Sequence, residues 1–278
     1  MIELGTMPII QVPEQKFGFC SRPDLAGKTF FEAFKEELKQ YDPEVLKKAL
    51  NGEFHFDSDG TLRGSNFPLV VLMNYKNLFP EGEHLLSITE FGQAFNKNPE
   101  AFKGIYVDTG IVARTANDYF SENILKQIKA RGKTPIPEEP IVISNTDLIP
   151  IQDKKSRCGF VYKIKDRDGE ELILAPAYGT AESTTRFTFY DAKGIAIPCE
   201  NGKHIIYKRN SGVSGVCSDG QVAFSNYGLL ADSCSDGRVA VGDANVPQNI
   251  IEIKKLVKQE EGRRAATKKD LEERIAKL

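Results

Sequence analysis

Residues 183–208 read STTRFTFYDAKGIAIPCENGKHIIYK, and this stretch decides the fold. Its apolar residues are largely β-branched or aromatic, and they are interrupted at Lys193-Gly194 and at Asn201-Gly202. Branched and aromatic side chains favour strands, and a glycine after a polar residue accepts the positive φ angles of tight hairpin turns. The stretch therefore predicts consecutive antiparallel strands joined by hairpins.

The same pattern extends over residues 157–246. Further turn dipeptides stand at Asp168-Gly169, Asp219-Gly220 and Asp236-Gly237. About eight short strands at this spacing are typical of an antiparallel meander, sandwich or barrel. Parallel strands with intervening helices would contradict this prediction.

The first 150 residues mix helices with short strands. Two pairs, Thr29 with Glu32 and Ser87 with Glu90, have the spacing of a capping box, in which each residue satisfies a free backbone N–H of the other. Further helices are predicted from Pro43, from Phe67 and over residues 118–131, and buried strands over 105–112 and 141–144. The chain is thus expected to belong to the α+β class.

We divide the chain into four parts. The boundaries are a mixed α/β domain at 1–134, a proline-containing connector with a short strand at 135–156, the antiparallel β domain at 157–246 and a helical tail at 247–278. The charged tail carries a narrow apolar stripe at Ile250, Ile253 and Val257, which Gly262 interrupts, and a last helix that carries Leu271, Ile275 and Leu278. Such a helix must dock on its own protein or on a partner, so self-association or a protein partner is expected.

Composition excludes several classes of protein. The 278 residues contain 37 Lys and Arg against 39 Asp and Glu, and the formal net charge is -2. No apolar run approaches the ~20 residues that cross a bilayer, so no membrane association is expected. Without an overall positive charge, nucleic-acid binding is not favoured, although a local basic patch would permit it.

The cysteines and the N-terminal sequence favour the cytoplasm. Five cysteines form an odd set without a CxxC pair, which argues against a disulfide framework. The first residues, MIELGTMP, lack the basic start and apolar core of a secretory signal. A cytoplasmic location is the expectation.

The segment Phe56-Asp57-Ser58-Asp59-Gly60-Thr61-Leu62 resembles the first motif of haloacid dehalogenase-type phosphatases. The resemblance implies that Asp57 is the nucleophile, that Asp59 is the acid/base and that both carboxylates hold Mg²⁺. Ser144, Lys203 or Lys208, and Asp243 stand in the order of the family's phosphate-contacting, charge-stabilising and metal-binding residues. The alternative interpretation of Asp-Ser-Asp-Gly is an ordinary β-turn.

A group of aromatic and cationic residues in the β domain is the second candidate site. It comprises Arg186, Tyr190, Tyr207 and Arg209, with Lys208 and Tyr227 nearby. Strict alternation places Arg186, Thr188 and Tyr190 on one face of their strand and Phe187 and Phe189 on the other. This face is either a binding surface or a solvated outer side of the sheet.

Two functions follow from these observations. The first is a non-enzymatic binding or assembly protein that acts through its β domain and its C-terminal helix, for which no cofactor is predicted. The alternative is a Mg²⁺-dependent phosphoryl-transfer enzyme with Asp57, Asp59 and Lys203 as catalytic candidates and Asp57, Asp59 and Asp243 as metal ligands.

Overall fold

The computed structural model describes most of the chain between residues 16 and 243. The described ranges are 16–115, 119–131, 140–165, 173–179, 183–208, 212–218, 222–223, 233 and 235–243. Contacts divide the chain into Phe17–Val241 and a second unit made of Met1–Lys16 and Gly242–Leu278. The predicted tail helix at 247–278 and the predicted turns at Asp168-Gly169 and Asp219-Gly220 lie outside the described residues.

Most helices in the described ranges begin where the sequence predicts them, but the single helix expected after Thr29 is divided, and a second helix begins at Lys35. They are α1 (Phe30–Ala33), α2 (Lys35–Leu38), α3 (Pro43–Ala49), α4 (Phe67–Lys76), α5 (Ile88–Lys97) and α6 (Tyr119–Ala130). Both capping boxes form, at Thr29 before α1 and at Ser87 before α5. The side chains of Asp42 and Asn66 cap α3 and α4, each followed by a proline in the first turn.

The strands are short. The first eight are β1 (Phe17–Phe19), β2 (His55–Phe56), β3 (Leu62–Arg63), β4 (Glu83–Leu85), β5 (Tyr106–Ala113), β6 (Ile141–Ser144), β7 (Leu148–Gln152) and β8 (Phe160–Ile164). The other eight are β9 (Ile173–Leu174), β10 (Ser183–Tyr190), β11 (Ala196–Pro198), β12 (His204–Lys208), β13 (Val213–Ser218), β14 (Val222–Ala223), β15 (Gly237–Arg238) and β16 (Ala240–Asp243).

The sheets confirm the α+β class. The largest runs in the order β11-β10-β12-β14-β13-β5-β6-β9, with β15 beside β5. Most of its neighbours are antiparallel, and the parallel pairs are β12 with β14 and β15 with β5. Smaller sheets pair β2 with β3, pair β7 with β8 and place β16 between β1 and β4. The largest sheet combines strands from both sides of the proline-containing connector.

The predicted hairpin at Asn201-Gly202 is wrong. The strands on either side of this turn, β11 and β12, do not pair with each other, because β10 lies between them. The connection crosses β10 at Phe187 in the middle of the strand, where a Cβ on Gly202 would stand 2.4 Å from the backbone nitrogen of Phe187. The glycine is needed for this close approach rather than for a two-residue hairpin. By contrast, the Lys193-Gly194 turn does join the paired strands β10 and β11.

Strict alternation along β10 is also wrong at its end. The pairing of β10 with β11 shifts register between Phe187 and Tyr190, so both of these side chains are buried. Tyr190 is only 4% exposed, whereas Phe189 is 57% exposed. A bulge adds a residue to one strand and moves the following side chains to the opposite face.

An aromatic core supports the β7–β8 hairpin. Helix α4 is apolar around most of its circumference, and Phe67 to Met73 are all buried. The hairpin packs on α4 and α6, where the rings of Phe67, Phe120 and Tyr162 contact one another. This packing fixes the hairpin and its turn, residues 153–159, beside α3.

Candidate functional site

Asp57 and Asp59 lie in the tight turn between β2 and β3. The backbone N–H of Thr61 donates to Asp57 Oδ1 at 3.0 Å and to Asp59 Oδ1 at 2.7 Å. Arg63 Nε donates to Asp57 Oδ2 at 2.5 Å. Hydrogen bonds from Thr61, with a smaller contribution from the charge of Arg63, lower the pKa of Asp59. Both carboxylates therefore stabilise the turn by accepting hydrogen bonds within it, and Asp59 is ionised at neutral pH.

The surroundings of this turn differ from those that the phosphatase resemblance implies. The family's nucleophile follows a central parallel strand, whereas β2 has two residues, pairs antiparallel with β3 and forms an isolated antiparallel bridge between His55 and Thr29. Ser144 is buried, and its Oγ accepts hydrogen bonds from Ile88 N and Thr146 Oγ1. Asp243 ends β16. Among the described residues, no three His, Cys, Asp or Glu side chains gather as a metal site would require.

The second predicted group is only partly described. Arg186 is exposed and donates from Nη1 to the Gly202 carbonyl at 3.2 Å. Tyr190 is in the core, where it contacts Phe91, Phe95 and Phe187. Lys203 is exposed between β11 and β12. The backbone of Tyr207 belongs to β12, but its side chain, together with Arg209 and Tyr227, lies outside what the structure describes.

The structure brings together a different group of cations and aromatic rings. It is formed by residues 40–48, 75–76 and 151–157 together with Tyr119, and we name it the hairpin surface. Lys48 Nζ donates to the carbonyl of Lys154 at 2.7 Å, and Lys154 Nζ is ion-paired with Asp42. These contacts join α3 to the turn between β7 and β8.

An open cleft of about 500 Å³ lies at the centre of the hairpin surface. It is lined by Gln40, Tyr41, Asp42, Val45, Gln152 and Lys154. The Asp42 N–H donates to Gln152 Oε1 at 2.7 Å, which ties the start of α3 to the end of β7. The hydrogen bond from Lys154 is the main reason that the pKa of Asp42 is lowered. This carboxylate therefore stays ionised and holds Lys154 at the cleft.

Two aromatic rings, Tyr41 in the lining of the cleft and Tyr75 on α4, flank Lys76. Lys76 Nζ lies 5.3 Å from the centre of the Tyr41 ring and 5.7 Å from the centre of the Tyr75 ring. The face of an aromatic ring attracts a cation, so the two tyrosines position the ammonium group. Burial, with a smaller contribution from Tyr75, raises the pKa of Tyr41 to about 12, so its hydroxyl stays neutral.

Positive charge predominates on the hairpin surface. Its segments carry six cationic side chains, Lys47, Lys48, Lys76, Lys154, Lys155 and Arg157, against the three carboxylates Asp42, Glu44 and Asp153. Two of those carboxylates are engaged, Asp42 by Lys154 and Asp153 by the hydroxyl of Tyr119. Within the described ranges, Lys47, Lys155 and Arg157 are exposed and form no ion pair. These cations are available to an anionic ligand.

Comparison with known proteins does not assign the chain to a family. The chain matches no family profile, no curated protein and no solved structure. Functional inference therefore depends on the geometry of the hairpin surface.

The described helices include none that is long and apolar enough to span a bilayer.

Sequence patterns did not reveal the hairpin surface. Its segments are separated by up to about a hundred residues, and no motif links them. The signal that could have drawn attention to it is the run Lys154-Lys155-Ser156-Arg157, which places three cations in one turn. Lys76 and Tyr41 carry no such signal, because they come together only in the folded protein, where α4 packs against β7 and Lys76 faces the Tyr41 ring.

Proposed function

We propose that this protein is a non-enzymatic binding protein that recognises an anionic macromolecule through the hairpin surface. The observation that carries the proposal is the set of exposed cations without ion-pair partners in the described ranges, Lys47, Lys155 and Arg157, beside the cleft. A chain with net charge -2 that concentrates positive charge on one surface has an asymmetric field that orients an anionic partner. Exposed cations without ion-pair partners contribute little to folding, and they contribute to binding affinity when a phosphate or sulfate neutralises them.

Retention on immobilised heparin tests the proposal. The triple variant Lys47→Ala, Lys155→Ala, Arg157→Ala should elute at a clearly lower salt concentration than the unmodified protein. The matched control is Lys28→Ala, Lys129→Ala, Lys193→Ala. It removes three exposed lysines that lie outside the hairpin surface, and it causes the same change in net charge. Equal losses in both variants would show that net charge, not this surface, determines retention.

A cytoplasmic location is part of the proposal. The described cysteines Cys20, Cys158 and Cys199 are free thiols, and Cys199 is exposed. A reducing compartment preserves an exposed thiol. Fractionation of cells expressing the tagged protein should recover it with cytoplasmic markers, and recovery with secreted or envelope fractions would contradict this.

A further inference from the structure

We infer that the anionic partner is a single-stranded nucleic acid, whose bases stack on Tyr75 and Tyr119 while the cations of the hairpin surface contact its phosphates. This inference rests on the proposed function and names the chemistry of the ligand. It is carried by two exposed tyrosine rings that lie on the same surface as exposed cations without ion-pair partners in the described ranges.

The exposure of the two rings is the first step. Tyr75 is 47% and Tyr119 51% exposed, although rings of this size bury most of their surface in a folded core. Phe67, Phe120, Phe160 and Tyr162 on α4, α6 and β8 are fully buried, so the core of these elements is already filled with aromatic side chains. The two tyrosines therefore add little to folding and present apolar faces to solvent.

The second step is that both rings are held in place. The Tyr119 hydroxyl donates to Asp153 Oδ2 at 2.8 Å, which attaches the start of α6 to the cationic turn. Tyr75 lies at the end of α4, with Lys76 Nζ 5.7 Å from its ring centre. A ring whose orientation is fixed before binding loses less entropy when a base stacks on it.

The third step selects the class of partner. Cations beside exposed aromatic rings are the combination that binds single strands, because every base has a face that stacks and every nucleotide has a phosphate. A regular duplex hides its base faces, so it would use the cations and leave the tyrosines unused. An acidic peptide would likewise have no planar group for the rings. Ile151 on β7, which is 47% exposed, adds apolar area beside the turn.

Fluorescence anisotropy with three labelled 15-residue probes tests the inference on the full-length protein. The probes are oligothymidylate, oligouridylate and an abasic deoxyribose-phosphate strand of equal charge. Each stacked base contributes about 1–3 kcal/mol, so the base-containing strands should bind at least about tenfold more tightly than the abasic strand. Comparison of the affinities for oligothymidylate and oligouridylate shows whether single-stranded DNA or single-stranded RNA is preferred.

Variants separate the contribution of base stacking on the tyrosines from that of phosphate contact by the cations. Tyr75→Ala with Tyr119→Ala should remove most of the difference between oligothymidylate and the abasic strand, whereas Tyr75→Phe alone, which keeps the ring and leaves the Tyr119 hydroxyl in place, should retain it. The triple cation variant should weaken all three probes to a similar extent. Unchanged thermal unfolding of the tyrosine variants would confirm that the loss is one of binding.

Failure of the inference and failure of the proposed function give different results. Equal binding of all three probes, abolished by the triple cation variant, would overturn the stacking inference and leave the anion-binding function in place. Retention on heparin without binding of any probe would also overturn it, in favour of another anionic partner. Absence of binding to heparin and to every probe would overturn both.

Discussion

Burial raises the pKa of the Asp108 carboxyl to about 6, although a hydrogen bond from Ser65 Oγ to its Oδ2, 2.5 Å long, acts in the opposite direction. The folded protein therefore binds this proton more tightly than the unfolded chain, whose carboxyl titrates near 3.8. The stabilising effect of the protonated form is fully present below pH 3.8 and is lost as the pH rises through about 6. The neutral form of the side chain is the one that the fold prefers.

Replacement of Asp108 by asparagine should for this reason stabilise the protein at neutral pH. The amide imitates the protonated carboxyl and still accepts the hydrogen bond from Ser65. We expect the free energy of unfolding at pH 8 to increase by up to about 3 kcal/mol, with little change at pH 4. Urea unfolding at the two pH values measures both quantities, and an equal effect of the substitution at both would contradict the titration of Asp108 in this range.

The turn of the β7–β8 hairpin depends on one glycine. Gly159 has φ +74°, and a Cβ at this position would stand 2.3 Å from the carbonyl oxygen of Val45 in α3. Gly159→Ala should combine backbone strain with a steric clash, cost about 3 kcal/mol and displace the turn from α3. Because that displacement separates Lys155 and Arg157 from Lys47, retention on heparin should also decrease.

A second glycine provides the matched control. Gly82 has nearly the same φ, +80°, but no atom lies within 4 Å of a Cβ built on it. Gly82→Ala should cost about 1 kcal/mol from the left-handed conformation alone and leave heparin retention unchanged. Thermal or urea unfolding of both variants gives the comparison, and equal costs would show that contact with α3 contributes nothing.

At the scale of elements, helix starts are determined locally and can be tested one at a time. The Ser87 hydroxyl accepts from the N–H of Glu90 at 3.2 Å, and the N–H of Ser87 donates to Glu90 Oε2 at 2.8 Å. Ser87→Ala should destabilise the protein by about 1 kcal/mol, because the first turn of α5 loses an acceptor. Ser58→Ala, at an exposed turn position, should change stability by less than about 0.5 kcal/mol in the same urea titration. An equally small effect of both would mean that solvent replaces the Ser87 cap.

Local chemistry also explains how much of the fold the sequence could predict. Caps, prolines and hydrophobic spacing act within a few residues, so α1, α3, α4 and α5 begin as predicted. Strand order depends on which distant segments pair, and turn residues do not determine it. Asn201-Gly202 contains the residues of a hairpin, yet it joins strands on opposite sides of β10. The burial of Tyr190 depends on a register shift that no alternation rule contains.

At the scale of the whole molecule, the same distinction separates the predicted sites from the one that we propose. Asp57 and Asp59 attracted attention because they are close in sequence, and their bonds to Thr61 and Arg63 explain that spacing as turn chemistry. The hairpin surface is assembled from α3, the end of α4, the start of α6 and the β7–β8 turn. Its charge becomes visible only when these segments lie side by side, because the net charge of the chain is close to zero.

Self-association through residues 247–278 remains a prediction of the sequence, and it belongs to the whole molecule because it concerns the assembly of complete chains. The apolar stripe carries Leu271 and Ile275 on a segment rich in Lys, Glu and Arg. A helix of this kind gains by burying the stripe against a second copy, which removes apolar area from water. Leu271→Glu with Ile275→Glu should therefore shift the full-length protein to the elution volume of a monomer in gel filtration. Glu273→Ala, on the predicted opposite face, should leave the elution unchanged, and monomeric elution of the unmodified protein would exclude this role for the tail.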